Sequence, residues 1–174
     1  MMLKPLAATL VALTMMDAAV GAADAPLQIT RAGSRAVNAG PAQWFTGEVK
    51  VEMLYTPSGA ERTSAGSVTF SPGARTNWHS HPLGQTLIVT AGVGRVQQWG
   101  GAVQEIRAGD VVHIPPEVKH WHGAAPGSAM THIAVQEAQD GKTADWLEAV
   151  SEVQYGPAAV PVGAPFSAYT PPTD

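Results

Sequence analysis

The chain has 174 residues and a formal net charge of −4, and 45% of its residues are hydrophobic against 14% charged. This length supports one domain with its own core, and a mildly acidic chain without a basic stripe argues against nucleic acid as a partner. The absence of cysteine means that disulfides play no part in the fold. The 18 glycines and 14 prolines favour many short strands joined by turns.

The N-terminus has the three-part pattern of a secretory signal. Lys4 supplies a positive charge, residues 6–16 are mainly apolar, and small residues follow up to Ala23. The apolar run is too short to span a bilayer. We therefore predict a signal peptide at residues 1–23, a secreted or periplasmic location, and no membrane contact after cleavage. The alternative is a disordered or buried N-terminal helix.

The rest of the chain reads as a succession of short strands. Segments rich in alternating or β-branched apolar residues, with turn signals between them, occur at 27–30 (an edge strand), 49–55, 65–70, 87–90, 93–99, 103–106, 111–114 and 130–136. This spacing predicts an all-β antiparallel sandwich or barrel.

Two segments at the C-terminal end differ from this pattern. Residues 143–154 repeat Trp146, Val150 and Val153 at helical spacing, which predicts one amphipathic helix covering the barrel. Residues 156–174 are rich in Pro, Ala and Gly and are predicted to be a tail, either flexible or lying on a neighbouring subunit. The domain itself is predicted to span residues 24–155.

All six histidines lie between positions 79 and 132. His79 and His81 are two residues apart, so on a strand both imidazoles point to one face, and a strand continuing to Gln85 would bring its amide to the same face. His120 and His122 repeat this spacing later in the chain. Imidazole is the commonest metal ligand, so the cluster predicts one metal site assembled from several strands inside a barrel.

Two stretches resemble the paired motifs of the cupin family. The stretch from Gly73 to Gly92 is similar to the first motif, G-x5-H-x-H-x3-E-x6-G, with Gln85 in place of the usual glutamate. The stretch from Gly109 to His120 is similar to the second, with Glu117 replacing its glycine. The resemblance covers about residues 44–155, and it implies a cupin jelly-roll β-barrel with a metal inside and one short C-terminal helix.

A narrower resemblance is to the bacterial cupin hydroxynitrile lyases, which are manganese enzymes with three histidines and one glutamine as ligands. It rests on the runs NWHSHPLGQTLIVTAG, HWHGAAPGSAMTHIAVQE and GKTADWLEAVSEVQY. Carried over by position, it implies the metal ligands His79, His81, Gln85 and His120. It also implies the catalytic and substrate-orienting residues Thr76, His122, His132 and Gln136, with Gly66 and Val68 lining the same cavity.

The residue chemistry is consistent with a Lewis-acid site. Three imidazoles and one amide are all neutral, so a divalent ion keeps its full charge, whereas a glutamate would have reduced it. Mixed nitrogen and oxygen ligands suit manganese, which the resemblance implies, and also iron, nickel or zinc. The alternative for His79 and His81 is a hydrogen-bonded structural pair.

Residues His132, Ala134 and Gln136 share one strand face. If that face points inward, the small Ala134 leaves room for a substrate and His132 can shuttle a proton. The alternatives are a buried His132 bonded to a carbonyl, and a His122 that only supports the metal site. Trp78 and Trp121 have the opposite parity to the ligands and are expected to pack outside the sheet, between subunits.

The resemblance implies a metal-dependent lyase that cleaves an aromatic cyanohydrin such as mandelonitrile to aldehyde and cyanide and catalyses the reverse addition. His132 would exchange a proton with the cyanide. A metal-dependent cupin dioxygenase and a non-catalytic cupin that binds a small ligand both remain open. The expected partners are a small-molecule substrate and further copies of the chain, in a dimer or tetramer.

Overall fold

The computed structural model of the chain describes residues 26–156. The predicted signal peptide at residues 1–23 and the predicted tail beyond Gly156 lie outside the described residues, so both stay predictions. Within residues 26–156 no helix has the length and apolar character that a bilayer crossing requires.

Twelve strands and one short helix make up the described part of the chain. In order they are β1 (Val37–Ala39), β2 (Phe45–Thr46), β3 (Val49–Tyr55), β4 (Thr63–Phe70), β5 (Arg75–Thr76), β6 (His79–Ser80), β7 (Gln85–Gln98), β8 (Gln104–Arg107), β9 (Val111–Ile114), β10 (His120–Ala124), β11 (Met130–Glu137), β12 (Asp145–Trp146) and α1 (Glu152–Tyr155). The all-β prediction with one short C-terminal helix is confirmed.

The strands form one curled antiparallel sheet in the order β1-β3-β4-β11-β7-β10-β5-β2, with β6, β8, β9 and β12 paired beside this path. The long strand β7 joins the two halves of the curl, because its first part pairs with β11 and β9 and its last part with β10 and β8. The prediction of two separate strands at 87–90 and 93–99 was therefore wrong.

The continuity of β7 depends on Gly92. Its φ is +76°, and a Cβ at this position would lie 1.9 Å from the carbonyl oxygen of Ala129. Only glycine tolerates both the positive φ and this close approach. The strand can therefore pass from one half of the sheet to the other without a turn.

Two further predictions fail against the structure. Residues 27–30 form no strand and are exposed. The predicted helix at 143–154 is helical only over Glu152–Tyr155, where Ser151 provides the N-cap. Residues ahead of it run extended beside β6, because the backbone of Trp78 bonds to Leu147 and Glu148 and Trp146 pairs with His79.

The three side chains that suggested a helix do not share a face, because Val153 is 91% exposed and the other two pack into different places. Trp146 stacks on Trp44 with ring centroids 5.2 Å apart, whereas Val150 is buried with Trp78 and Trp121 on the other side of the sheet. An extended segment that places Trp146 and Val150 in separate clusters produced the same spacing as a helical face. We call residues 143–156 the C-terminal strap.

The strap also explains the two tryptophans beside the ligand histidines. Trp78 and Trp121 do leave the cavity face, as predicted, but they are buried against Val150 and Tyr155 of the same chain. The expectation that they pack between subunits was wrong. The main core, on the other side, is built around Phe70 and other apolar side chains of the curled sheet.

Candidate metal centre

Three neighbouring strands align their inward side chains in rows. In the β7–β11–β4 register, Gln85 pairs with Gln136 and Gln136 with Ser64, while His132 pairs with Val89 and Val68. Between these two rows lies a third, which contains Ala134 and Gly66. The predicted inward face of β11 is therefore present, because its even-numbered residues from 130 to 136 line the cavity or are buried.

The opposite wall of the site comes from β6 and β10. His79 of β6 pairs directly with His120 of β10, and both side chains are buried. Gln85 was predicted to share a strand with His79, and this is wrong because a turn separates β6 from β7. Gly84 permits that turn with a φ of +80°, and a Cβ there would lie 2.6 Å from the carbonyl oxygen of Ile114.

Three imidazoles are each anchored through Nδ1 to a backbone carbonyl oxygen, and we call them the anchored triad. His79 Nδ1 lies 3.0 Å from the oxygen of Asn77, His81 Nδ1 2.6 Å from that of Thr143, and His120 Nδ1 2.8 Å from that of Val118. A carbonyl only accepts hydrogen bonds, so each Nδ1 carries the hydrogen and each Nε2 keeps a free lone pair. This is the usual arrangement of metal-binding histidines.

The free Nε2 lone pairs of the triad point toward other hydrogen-bond acceptors or have no partner in the described part of the chain. His120 Nε2 lies 3.2 Å from Gln85 Oε1, although neither atom has a hydrogen to donate in this tautomer. His81 Nε2 is buried without a hydrogen-bond partner among the described residues. The ring centroids of His79 and His120 are 4.2 Å apart, and those of His79 and His81 5.1 Å. Such converging acceptors repel one another unless a cation lies among them.

A second pair of histidines lies next to the triad and has no such anchors. His132 Nε2 is 3.1 Å from His122 Nδ1, so the two rings share one hydrogen bond. His122 Nε2 and His132 Nδ1 are buried and have no hydrogen-bond partner among residues 26–156. Both rings lie against Phe70, with centroids 5.5 to 6.0 Å away. We call His122 and His132 the histidine pair.

All five imidazoles are neutral near pH 7. Burial, followed by repulsion from His120 and His81, holds the pKa of His79 well below its usual value, and burial also lowers that of His81. Burial lowers the pKa of His120 to about 4 and that of His132 to about 4. Burial and the neighbouring His132 hold the pKa of His122 well below normal. Neutral imidazole is the form that binds metals.

The predicted site residues lie around one cavity of about 900 Å³. All of them except His120 line it, namely Gly66, Val68, Thr76, His79, His81, Gln85, His122, His132, Ala134 and Gln136. His120 adjoins it through Gln85 and His79. Thr76 Oγ1 accepts a hydrogen bond of 3.2 Å from the backbone N–H of His122, which leaves the Thr76 hydroxyl hydrogen available. The sixth histidine, His113, is exposed on β9.

The residues present fit a divalent cation. The ligand-capable nitrogens of His79, His120 and His122 lie within 4.8 Å of one another, and this group could hold a metal ion. His81 Nε2 and Gln85 Oε1 add two more lone pairs. First-row cations with bonds of about 2.1 Å at right angles keep neighbouring ligand atoms about 3 Å apart, which matches the separation of His120 Nε2 and Gln85 Oε1.

Several residues of the site were not found from the sequence. Trp44 and Phe45 line the cavity, and Trp146 stacks on His79 with centroids 4.7 Å apart. Ser64 bonds to Gln136. The only usable signal was the even parity of Ser64 with Gly66 and Val68 on β4, which places all three on the cavity face.

Comparison with known proteins places these features in a family. A family model described as cupin domain matches residues 66–135. An (R)-mandelonitrile lyase from Granulicella tundricola is 57% identical over 129 residues, which cover 74% of this chain and 98% of that protein.

Solved structures with a similar fold include proteins of the same kind. A cupin-like protein from Thermotoga maritima is 46% identical with a TM-score of 0.65, over 74% of this chain and 94% of that one. A polyketide cyclase from Streptomyces resistomycificus has a TM-score of 0.60 at 19% identity, over 75% of this chain and 91% of that one. At that identity the second likeness concerns the fold alone.

Proposed function

The chain belongs to the cupin family, and from this premise we propose that it is a metal-dependent hydroxynitrile lyase acting on aromatic cyanohydrins such as (R)-mandelonitrile. The observation that carries the reaction is the 57% identity with a protein named (R)-mandelonitrile lyase over almost the whole of that relative. The anchored triad and the neutral histidine pair are consistent with it.

The proposed ligands are the anchored triad, His79, His81 and His120, together with Gln85. Each triad member has its Nδ1 hydrogen committed to a carbonyl and its Nε2 free. His122 belongs to the group that could hold a metal, but its Nδ1 is engaged with His132 rather than with a carbonyl. We therefore assign His122 to the substrate side of the site.

The proposed cation is Mn²⁺, with iron, nickel or zinc as alternatives that this set of donors also accepts. When bound, the cation supplies Lewis acidity toward a substrate oxygen, and a neutral set of ligands leaves its charge undiminished.

One wall of the cavity is an apolar surface that can bind the aromatic ring of the substrate. Trp44, Phe45 and Trp146 form an aromatic wall, and Val51 and Met53 extend it along β3. An aromatic ring gains from burial against such a surface and from stacking on it. The polar part of the cyanohydrin is then held toward the histidines.

The proton transfer is assigned to His132. During cleavage the hydroxyl O–H bond and the C–C bond to cyanide break, the carbonyl forms, and the cyanide takes up the proton. A neutral His132 accepts that proton and passes it to the departing cyanide through its unpartnered Nδ1. A low pKa makes the transient imidazolium a good acid. His122, the Thr76 hydroxyl and the Gln136 amide orient the substrate.

The test is cyanide release from purified full-length protein loaded with Mn²⁺. We expect cleavage of (R)-mandelonitrile, faster than that of aliphatic cyanohydrins, at equal rates with and without oxygen. A chelator-treated sample is the control, and it should recover activity when Mn²⁺ is restored. No cyanide release over a panel of aromatic and aliphatic cyanohydrins would contradict the proposal.

The same assay separates the two other cupin functions. A dioxygenase would consume oxygen with its substrate, and a binding module would show affinity for a ligand without turnover.

Location and assembly are further proposals. We propose that residues 1–23 are removed on export and that the mature chain forms a homo-oligomer. Mass spectrometry and light scattering of natively expressed protein test these two points. An intact N-terminus in the cytoplasm would contradict the first, and a monomeric mass the second.

A further inference from the structure

Three polar side chains form a row across the cavity face of the sheet. Gln85, Gln136 and Ser64 come from the adjacent strands β7, β11 and β4, and the register places each directly beside the next. Gln85 and Ser64 are buried, and Gln136 is partly buried. Ser64 is the member of this row that the proposed function does not use.

The two amide hydrogen bonds along the row have the same direction, from Gln85 toward Ser64. Gln85 Nε2 donates to Gln136 Oε1 at 3.3 Å, and Gln136 Nε2 donates to Ser64 Oγ at 2.8 Å. The Ser64 hydroxyl donates in turn to the backbone carbonyl oxygen of Gln136 at 3.4 Å. With its hydroxyl hydrogen directed to that carbonyl, Ser64 Oγ presents a lone pair to the Gln136 amide.

The direction matters because an amide has two different ends. Gln85 presents Oε1, the end that can bind a cation, toward His120 Nε2. A reversed amide would instead donate its N–H to that nitrogen, which would make a good hydrogen bond and block the metal ligand. The local contact with His120 therefore favours the reversed amide in the absence of a cation.

We propose that Ser64 is a positioning residue for the metal centre, which acts through Gln136 to keep the oxygen of Gln85 turned toward the ligand histidines. This inference rests on the proposed function only in taking Gln85 as a ligand. Without the Ser64 lone pair, Gln136 can turn its amide, and Gln85 then loses the acceptor that fixes its orientation.

The test is the affinity of the full-length, metal-depleted protein for Mn²⁺, measured by competition with a chelator. We expect Ser64→Ala to weaken binding by at least about tenfold, the lower end of the effect of changing a group that orients a metal ligand. The matched control is Ser67→Ala on the same strand, whose odd parity places it away from the cavity face. Melting temperatures of both variants report any general loss of stability.

A second background separates positioning from simple packing. In Gln85→Glu both terminal atoms are oxygens, so either of them can bind the cation. The orientation of this side chain therefore does not depend on Gln136. Adding Ser64→Ala to this background should change Mn²⁺ affinity by less than about twofold. A packing defect at Ser64 would instead cost the same in both backgrounds, as expected for independent effects.

The results distinguish this inference from the proposed lyase function. Equal affinities of wild type and Ser64→Ala, or equal losses in both backgrounds, would overturn the positioning role and leave the lyase untouched. A tenfold loss confined to the glutamine background supports the role, even in a protein that releases no cyanide. A wild-type chain that binds no Mn²⁺ would overturn both.

Discussion

The anchored triad and the histidine pair use the same side chain in two different ways. His79, His81 and His120 each give a hydrogen to a carbonyl, which fixes the ring and the tautomer. The rings of His122 and His132 are hydrogen-bonded to each other, and each has one buried nitrogen that finds no partner among residues 26–156. Burial makes all five neutral, so the difference between the two groups lies in their hydrogen bonds.

The comparison indicates which of the proposed roles each buried imidazole suits. An anchored ring has its tautomer fixed and presents only the lone pair of Nε2, which suits a metal ligand. A ring whose partner is another imidazole can exchange donor and acceptor roles, which suits proton transfer. Substitutions in the two groups test whether this division holds.

The largest expected effect is on metal binding. His79→Ala removes one member of the triad and should weaken Mn²⁺ binding by more than about 100-fold, above the range for groups that only orient ligands. His113→Ala, on the exposed histidine of β9, is the matched control and should bind as wild type does. Metal analysis of both purified variants gives the measurement, and an unchanged metal content in His79→Ala would remove it from the proposed ligands.

The next effect is on rate alone. His132→Ala should retain its metal and lose at least roughly 100-fold in cyanohydrin cleavage, because a positioned acid–base group contributes about 10² to 10⁴-fold. The measurement is kcat with the metal content determined on the same sample. Wild-type activity in a metal-replete His132→Ala protein would eliminate the proton-transfer role.

A pH dependence of stability should follow from the buried pair. Burial lowers the pKa of His132 to about 4, below the ordinary 6.5. Between those values the unfolded chain binds a proton that the folded chain does not, so stability falls as the pH falls. In the metal-depleted protein His132 should contribute a loss of about 1.5 kcal/mol between pH 6.5 and 5. Urea denaturation of wild type and His132→Gln measures it, and identical pH slopes would refute it.

The smallest expected effect is the change in Mn²⁺ affinity when a member of the histidine pair is replaced. His122→Ala should weaken Mn²⁺ binding by less than about tenfold, because a residue that only adjoins the ligands has at most a supporting effect. His81→Ala, tested in parallel, should weaken it as strongly as His79→Ala. The reverse ranking of these two variants would place His122 among the ligands and His81 outside them.

The sequence predicted which residues converge on the site better than it predicted the strands and turns that bring them together. Period-two spacing placed His120 with His122, and His132 with Gln136, on shared faces, and the structure has both. The same rule failed between His81 and Gln85, because the turn at Gly84 interrupts the strand. The resemblance to a known motif still identified Gln85, since motif spacing does not depend on strand continuity.

The anchors of the triad could not be predicted from side-chain patterns. They are backbone oxygens of Asn77, Thr143 and Val118, and any residue type supplies such an oxygen. The strap illustrates the same limit. Trp146 and Val150 have helical spacing, but they bury into separate clusters on the two sides of the sheet. Tertiary contacts overrode the local periodicity there.

The most direct test of the division between the triad and the pair is anomalous X-ray scattering from a crystal of the Mn²⁺-loaded protein. We expect one peak at bonding distance from Nε2 of His79, His81 and His120 and from Oε1 of Gln85, with both rings of the histidine pair unbound. A peak bonded to His122 and separated from His81 and Gln85 would contradict this account.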